Sequence, residues 1–147
     1  MDKKEALELV QSFDDNEIKK IPKDLWKDRD FVGLASVING SVLQFADQSL
    51  RNDGSLVAHI ATQNGSALRY AGETLRKDRD FAIKCVTLDG LLLRKLDTKF
   101  KKDKEVIVEA IAQTSAAWWD VDESVREDLK NDPDISGLLP DHFFNDN

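Results

Sequence analysis

Three sets of side chains in this 147-residue chain have types and spacings that could do chemistry. The first is a recurring pair of acids two residues apart: Asp28 with Asp30, Asp78 with Asp80, and Asp132 with Asp134. Carboxylates can ligate a divalent cation, but a cation site needs several oxygens converging on one point. The second set is the two histidines, His59 and His142, with Asp146 the one acid at ligand-like spacing from His142. Two ligands near a chain end do not make a site. Cys85 is the single cysteine, so no internal disulfide can form. The third set is an aromatic residue among acids: Trp119 beside Asp120, Asp122, Glu123, Glu127 and Asp128. An exposed tryptophan in a field of carboxylates is suited to gripping a basic partner rather than to turning over a substrate.

The elements that must position these residues show themselves as a repeat. Asp28, Asp53, Asp78 and Asp103 stand twenty-five residues apart and open copies such as Asp28-Arg29-Asp30-Phe31-Val32 and Asp78-Arg79-Asp80-Phe81-Ala82. One step back reaches Lys3, which keeps the apolar rhythm of the copies without the aspartate. After each aspartate, apolar residues recur at spacings of three and four (Phe31, Val32, Ala35, Ile38), which is one face of an amphipathic helix. The aspartate suits the N-cap and the second acid suits the first turn, so capping accounts for the Asp-x-Asp pairs without a metal. Asn39-Gly40, Asn64-Gly65 and Asp89-Gly90 are expected to end these helices with a left-handed glycine. A second apolar stretch then predicts a shorter second helix, closing on Leu50, Leu75 or Phe100. In the first unit, Pro22 predicts a separate turn that carries Leu25 into the core.

Units this short cannot bury their own apolar faces, so the expectation is a single all-α solenoid of stacked helical hairpins. Its units run over residues 3–27, 28–52, 53–77, 78–102 and 103–131, with a partial sixth over 132–147. An apolar spine is expected from Leu7 to Val106 and Ile107. The fifth unit departs from the pattern: Thr114-Ser115 replaces Asn-Gly, Trp118-Trp119 enters, and about one helical turn is added. The register makes Trp118 core. Trp119 stands where Gln44, Arg69 and Arg94 stand, which leaves it either facing solvent or folded under Leu138, Leu139, Phe143 or Phe144.

The copies Asn64-Gly65-Ser66-Ala67-Leu68-Arg69-Tyr70-Ala71 and Asn39-Gly40-Ser41-Val42-Leu43-Gln44-Phe45-Ala46 resemble repeats of bacteria and protists grouped as domain of unknown function 4116. The resemblance covers roughly residues 25 to 112. It implies a helical repeat fold, and it implies neither a catalytic residue nor a cofactor.

Charge is distributed unevenly. The net charge is -7, and the whole of it lies between Trp119 and the C-terminus, where nine acids face Arg126 and Lys130. Bases gather at the unit junctions (Lys27 and Arg29, Arg51, Arg76 to Arg79, Lys101 to Lys104), but aspartates interleave with them, which disfavours a nucleic-acid track. No apolar run is long enough to span a bilayer, so a cytoplasmic protein is expected. The expected function is non-catalytic binding of a basic protein, without cofactor or metal. The residues expected to carry it are Trp119, Asp120, Asp122, Glu123, Glu127 and Asp128. The form expected is an immunity protein or inhibitor that neutralises a nuclease-type toxin, with an adaptor or effector scaffold, or nucleic-acid binding along the junctions, as the alternatives.

Overall fold

The computed structural model describes residues 1–144, which form two compact units, Met1–Lys77 and the residues from Asp78 onward. Every regular element among the described residues is helical.

In the first unit, α1 (Lys3–Gln11) is followed by the single turn α2 (Asp15–Ile18) and a 3-10 turn, Leu25–Lys27. That turn delivers Trp26 rather than Leu25 to the core: Trp26 is buried and lies edge-on to Phe31 at 5.2 Å, while Leu25 is half-buried. The spine likewise begins at Ala6 and Val10, with Leu7 only half-buried. Two repeats follow. The first is α3 (Arg29–Ile38), a 3-10 segment Gly40–Phe45, and α4 (Gln48–Arg51). The second is α5 (Gly54–Gln63), a 3-10 segment Gly65–Tyr70, and α6 (Glu73–Arg76). Each repeat is therefore three helical pieces, because the connection that closes a unit is itself a helical turn.

The second unit repeats the plan. α7 (Arg79–Leu88) leads to 3-10 segments Gly90–Lys95 and Thr98–Lys102, and α8 (Lys104–Gln113) leads to Ser115–Asp120 and α9 (Glu123–Leu129). The turn added to the fifth repeat lengthens this last piece from four residues in α4 and α6 to seven in α9. α10 (Pro133–Ser136), with proline at its start, and a 3-10 turn Asp141–Phe143 complete the described chain.

The long helices form where the sequence places their caps. Asp28 accepts from the Phe31 N–H at 2.9 Å, Asp53 from Leu56 at 3.0 Å, Asp78 from Asp80 at 2.8 Å and Asp103 from Glu105 at 3.1 Å. The first helix is capped as well, one position earlier than the register predicts. Asp2 accepts from the Glu5 N–H at 2.8 Å while the Glu5 side chain accepts from the Asp2 N–H at 3.2 Å, a reciprocal capping box.

The helix ends differ from expectation. No described glycine has positive φ; Asn39, Asn64 and Asp89 end their helices in extended conformation, with φ of -138°, -145° and -152°. Asn39 and Asp89 then cap the following 3-10 segment, accepting from the Ser41 N–H at 3.1 Å and the Leu91 N–H at 3.0 Å. Gly40 and Gly90 are required by close approach instead. A Cβ on Gly40 would lie 2.8 Å from the Ala67 backbone nitrogen, and one on Gly90 would collide with the Ala110 carbonyl. The left-handed residue of a helix end does occur once among the described residues, at Phe13 with φ 55°, just beyond α1.

Repeats are tied by backbone as well as by packing. The N-cap residue of α4, of α6 and of α9 reaches the preceding repeat: Asp47 N–H donates to the Trp26 carbonyl at 2.9 Å, Gly72 to Arg51 at 2.8 Å, and Asp122 to Lys101 at 2.9 Å. These bonds satisfy groups that a solvent-facing connection would leave to water.

Candidate functional site

The acids and bases at the junctions form a ladder. The base after one cap pairs with the cap aspartate of the next repeat: Lys3 with Asp28 at 2.8 Å, Arg29 with Asp53 at 3.4 Å, Arg79 with Asp103 at 2.7 Å, and Lys104 with Asp132 at 2.8 Å. Arg79 also reaches Glu105 at 2.5 Å and Lys104 reaches Asp134 at 2.9 Å. Lys3, Arg79 and Lys104 hold Asp28, Asp103 and Asp132, respectively, below the usual carboxylate range. At Asp53 the Leu56 N–H is the largest cause of the same shift. The other junction arginines are spent on carbonyls: Arg51 Nε donates to Tyr70 and Arg76 Nε to Ala71, both at 3.1 Å. Among the described residues no three His, Cys, Asp or Glu side chains converge where they could hold a metal ion. His59 is exposed on α5, and Asp146, the possible companion of His142, lies outside the described residues. Cys85 is fully buried, and burial pushes its thiol up to about 12. No described helix is long and apolar enough to cross a membrane.

The Trp119 surface is assembled by the 3-10 segment Ser115–Asp120 and α9. Trp118 turns inward, 4% exposed, and Trp119 outward, 54% exposed. Both sequence alternatives for Trp119 hold in part, because Phe143 stacks on its ring at 5.2 Å and 18° while much of the indole stays open. Arg126 buttresses the segment. Its Nη2 donates to the Trp119 carbonyl at 2.7 Å, its Nε to the Val121 carbonyl at 2.9 Å, and its guanidinium lies 5.9 Å from the Trp119 ring centroid.

The surrounding acids divide by task. Asp120 pairs with Arg94 at 3.3 Å with its side chain 17% exposed. Asp122 is the N-cap of α9, and its bonds from the Ser124 hydroxyl at 2.6 Å and N–H at 3.0 Å hold its carboxyl below the usual range. Glu127 pairs with Lys130 at 3.0 Å but stays open to solvent. Glu123 and Asp128 are exposed. The structure thus brings the six residues onto one segment and employs Asp120 and Asp122 structurally. Arg126 and Phe143 belong to this surface too. The sequence signal for Arg126 is its register with Arg51 and Arg76, and Phe143 is the one of the four residues offered as a cover for Trp119 that stacks on its ring.

Two grooves also flank the long helices. One of about 530 Å³ lies between α3 and α5, with Gly33, Leu34, Val37 and His59 on its walls. The other, of about 660 Å³, runs along α8 and includes Val108, Ala112 and Leu138.

The family model described as Domain of unknown function (DUF4116) matches the chain three times in overlapping register, at residues 34–76, 56–100 and 78–126. No curated protein and no solved structure matches it.

Proposed function

The chain belongs to this DUF4116 family of helical repeats, and on that premise we propose that it is a non-catalytic protein-binding module whose contact surface centres on Trp119. The observation that carries the reading is the 54% exposure of a tryptophan already braced by Phe143 and Arg126. A pre-positioned aromatic ring loses little conformational entropy on binding, which is why Trp dominates interface hot spots. Glu123, Glu127 and Asp128 follow it on α9 with carboxylates open to solvent, so the complementary partner is a protein with a basic surface. A nuclease-type toxin is such a protein: carboxylates seated on its phosphate-binding groups would inhibit it in a cytoplasmic setting. The junction bases support a nucleic-acid track less well, because phosphates would have to break the ladder pairs first.

The test is a photo-crosslinking amino acid placed at Asp128, which is exposed, in cells that express the full chain. Capture of a basic protein that is lost in Trp119→Ala, with affinity of the purified pair falling at least tenfold in Glu123→Lys/Asp128→Lys, is the expected result. Capture that persists without Trp119, or a pair indifferent to both lysines, removes the proposal. Asp122 is left intact in these variants because changing it would uncap α9.

A further inference from the structure

Among the described residues, the side of α8 that faces α10 is incompletely covered. In the first unit α3 has the ten-residue α5 beside it, whereas α8 meets α10, a single turn of four residues. α10 engages the N-terminal end of α8, where Lys104 holds Asp132 and Asp134. Farther along, Val108 is half-buried, Ala112 exposed and Leu138 39% exposed, and these three make the apolar floor of the 660 Å³ groove. Along α8 this floor extends about 6 Å from Val108 to Ala112, one helical turn. The rim is acidic. Its two bases, Arg79 and Lys104, are held by four acids, Asp103, Glu105, Asp132 and Asp134. The described part of this unit carries fifteen acids against ten bases. An anionic ligand is disfavoured by that field, and an uncharged apolar one would leave the surplus carboxylates unanswered.

We propose that this groove receives a basic amphipathic helix of a partner protein, with two apolar side chains one turn apart on Val108, Ala112 and Leu138 and its lysines or arginines along the acidic rim. The surface shares no residue with the Trp119 site and stands or falls separately from it.

The experiment titrates the full chain, with methyl groups isotopically labelled, with an 18-residue Leu/Lys peptide patterned for a helix. Controls are a scrambled peptide of the same composition and a Leu/Glu peptide of the same pattern. The expected result is a saturable shift concentrated on the methyls of Val108, Ala112 and Leu138. Leu138→Ser should weaken binding at least tenfold and Trp119→Ala less than twofold. Should Leu138→Ser unfold the chain, the wild-type methyl map decides alone. The proposal is overturned by no binding, by equal binding of either control, or by shifts confined to other methyls. Concentration-dependent shifts at these methyls without peptide also overturn it, in favour of a second copy of the chain.

Discussion

Replacing Gly40 with alanine tests how the repeats are held together. The added Cβ would sit 2.8 Å from the Ala67 nitrogen and 3.2 Å from its Cα, and closer still to the Ser66 Oγ. Ser66 could rotate, at the cost of its hydrogen bond to Asn64 at 2.6 Å, but the Ala67 backbone cannot step aside without moving the next 3-10 segment. Forced overpacking of this kind costs about 1–3 kcal/mol. Alanine returns about 0.4–1 kcal/mol by restricting the unfolded chain. The net loss is about 1–2 kcal/mol, which lowers a urea midpoint by roughly 1 M at an unchanged slope of about 1–3 kcal/mol/M. Gly40→Asn separates this cause from a left-handed one, since asparagine tolerates positive φ but is larger than alanine. Close approach makes Asn worse than Ala, and Ser66→Ala recovers part of the loss in the double variant. An alanine variant at or above the wild-type midpoint, or an asparagine variant above alanine, would show that Gly40 is not there for contact.

Phe13 holds the one left-handed non-glycine φ among the described residues and is 63% exposed, so Phe13→Gly should stabilise the chain by about 1 kcal/mol in the same urea assay. A loss would mean that its ring contributes packing. Asp28, Asp103 and Asp132 are held below their ordinary range when folded, so their contribution is present above about pH 4 and drains as pH falls through the folded values. Urea midpoints measured from pH 7 downward should fall in that acid window, and less steeply in Asp103→Asn; a flat profile speaks against the ladder. Cys85, buried with its thiol pushed up to about 12, should resist a disulfide reagent at pH 8 in the folded chain and react at once in urea; prompt native labelling would show that α7 opens.

What the sequence revealed and what it hid follow from how local each cause is. An N-cap is a relation between a side chain and N–H groups two or three residues on, so Asp28, Asp53, Asp78 and Asp103 could be read directly. Asp2 is hidden in the sequence because a strict register points to Lys3, and the cap shifts by one while the helix does not. Gly40 and Gly90 showed a residue type without its reason: turn chemistry and close approach both select glycine, and only the approach of Ala67 and Ala110 tells them apart. Trp26 outcompeted Leu25 for the core because Phe31 and Phe45 offer it aromatic partners. At the candidate surface, the register separated Trp118 from Trp119, which a period can do. It could not show that Asp120 is spent on Arg94, since that pair spans two repeats. Nor could it single out Phe143 from Leu138, Leu139 and Phe144 as the residue that stacks on Trp119, because the last repeat breaks the period that serves as the ruler.

The proposed function rests on Trp119 as an anchor, and the most direct measurement is the dissociation constant of a purified partner for Trp119→Ala relative to the wild-type chain, by calorimetry at physiological salt. A hot-spot tryptophan is worth 2 kcal/mol or more, so a weakening of at least about thirtyfold is predicted, with the urea midpoint nearly unchanged because the ring is largely outside the core. Equal affinity in the two proteins would place the binding surface elsewhere on the chain.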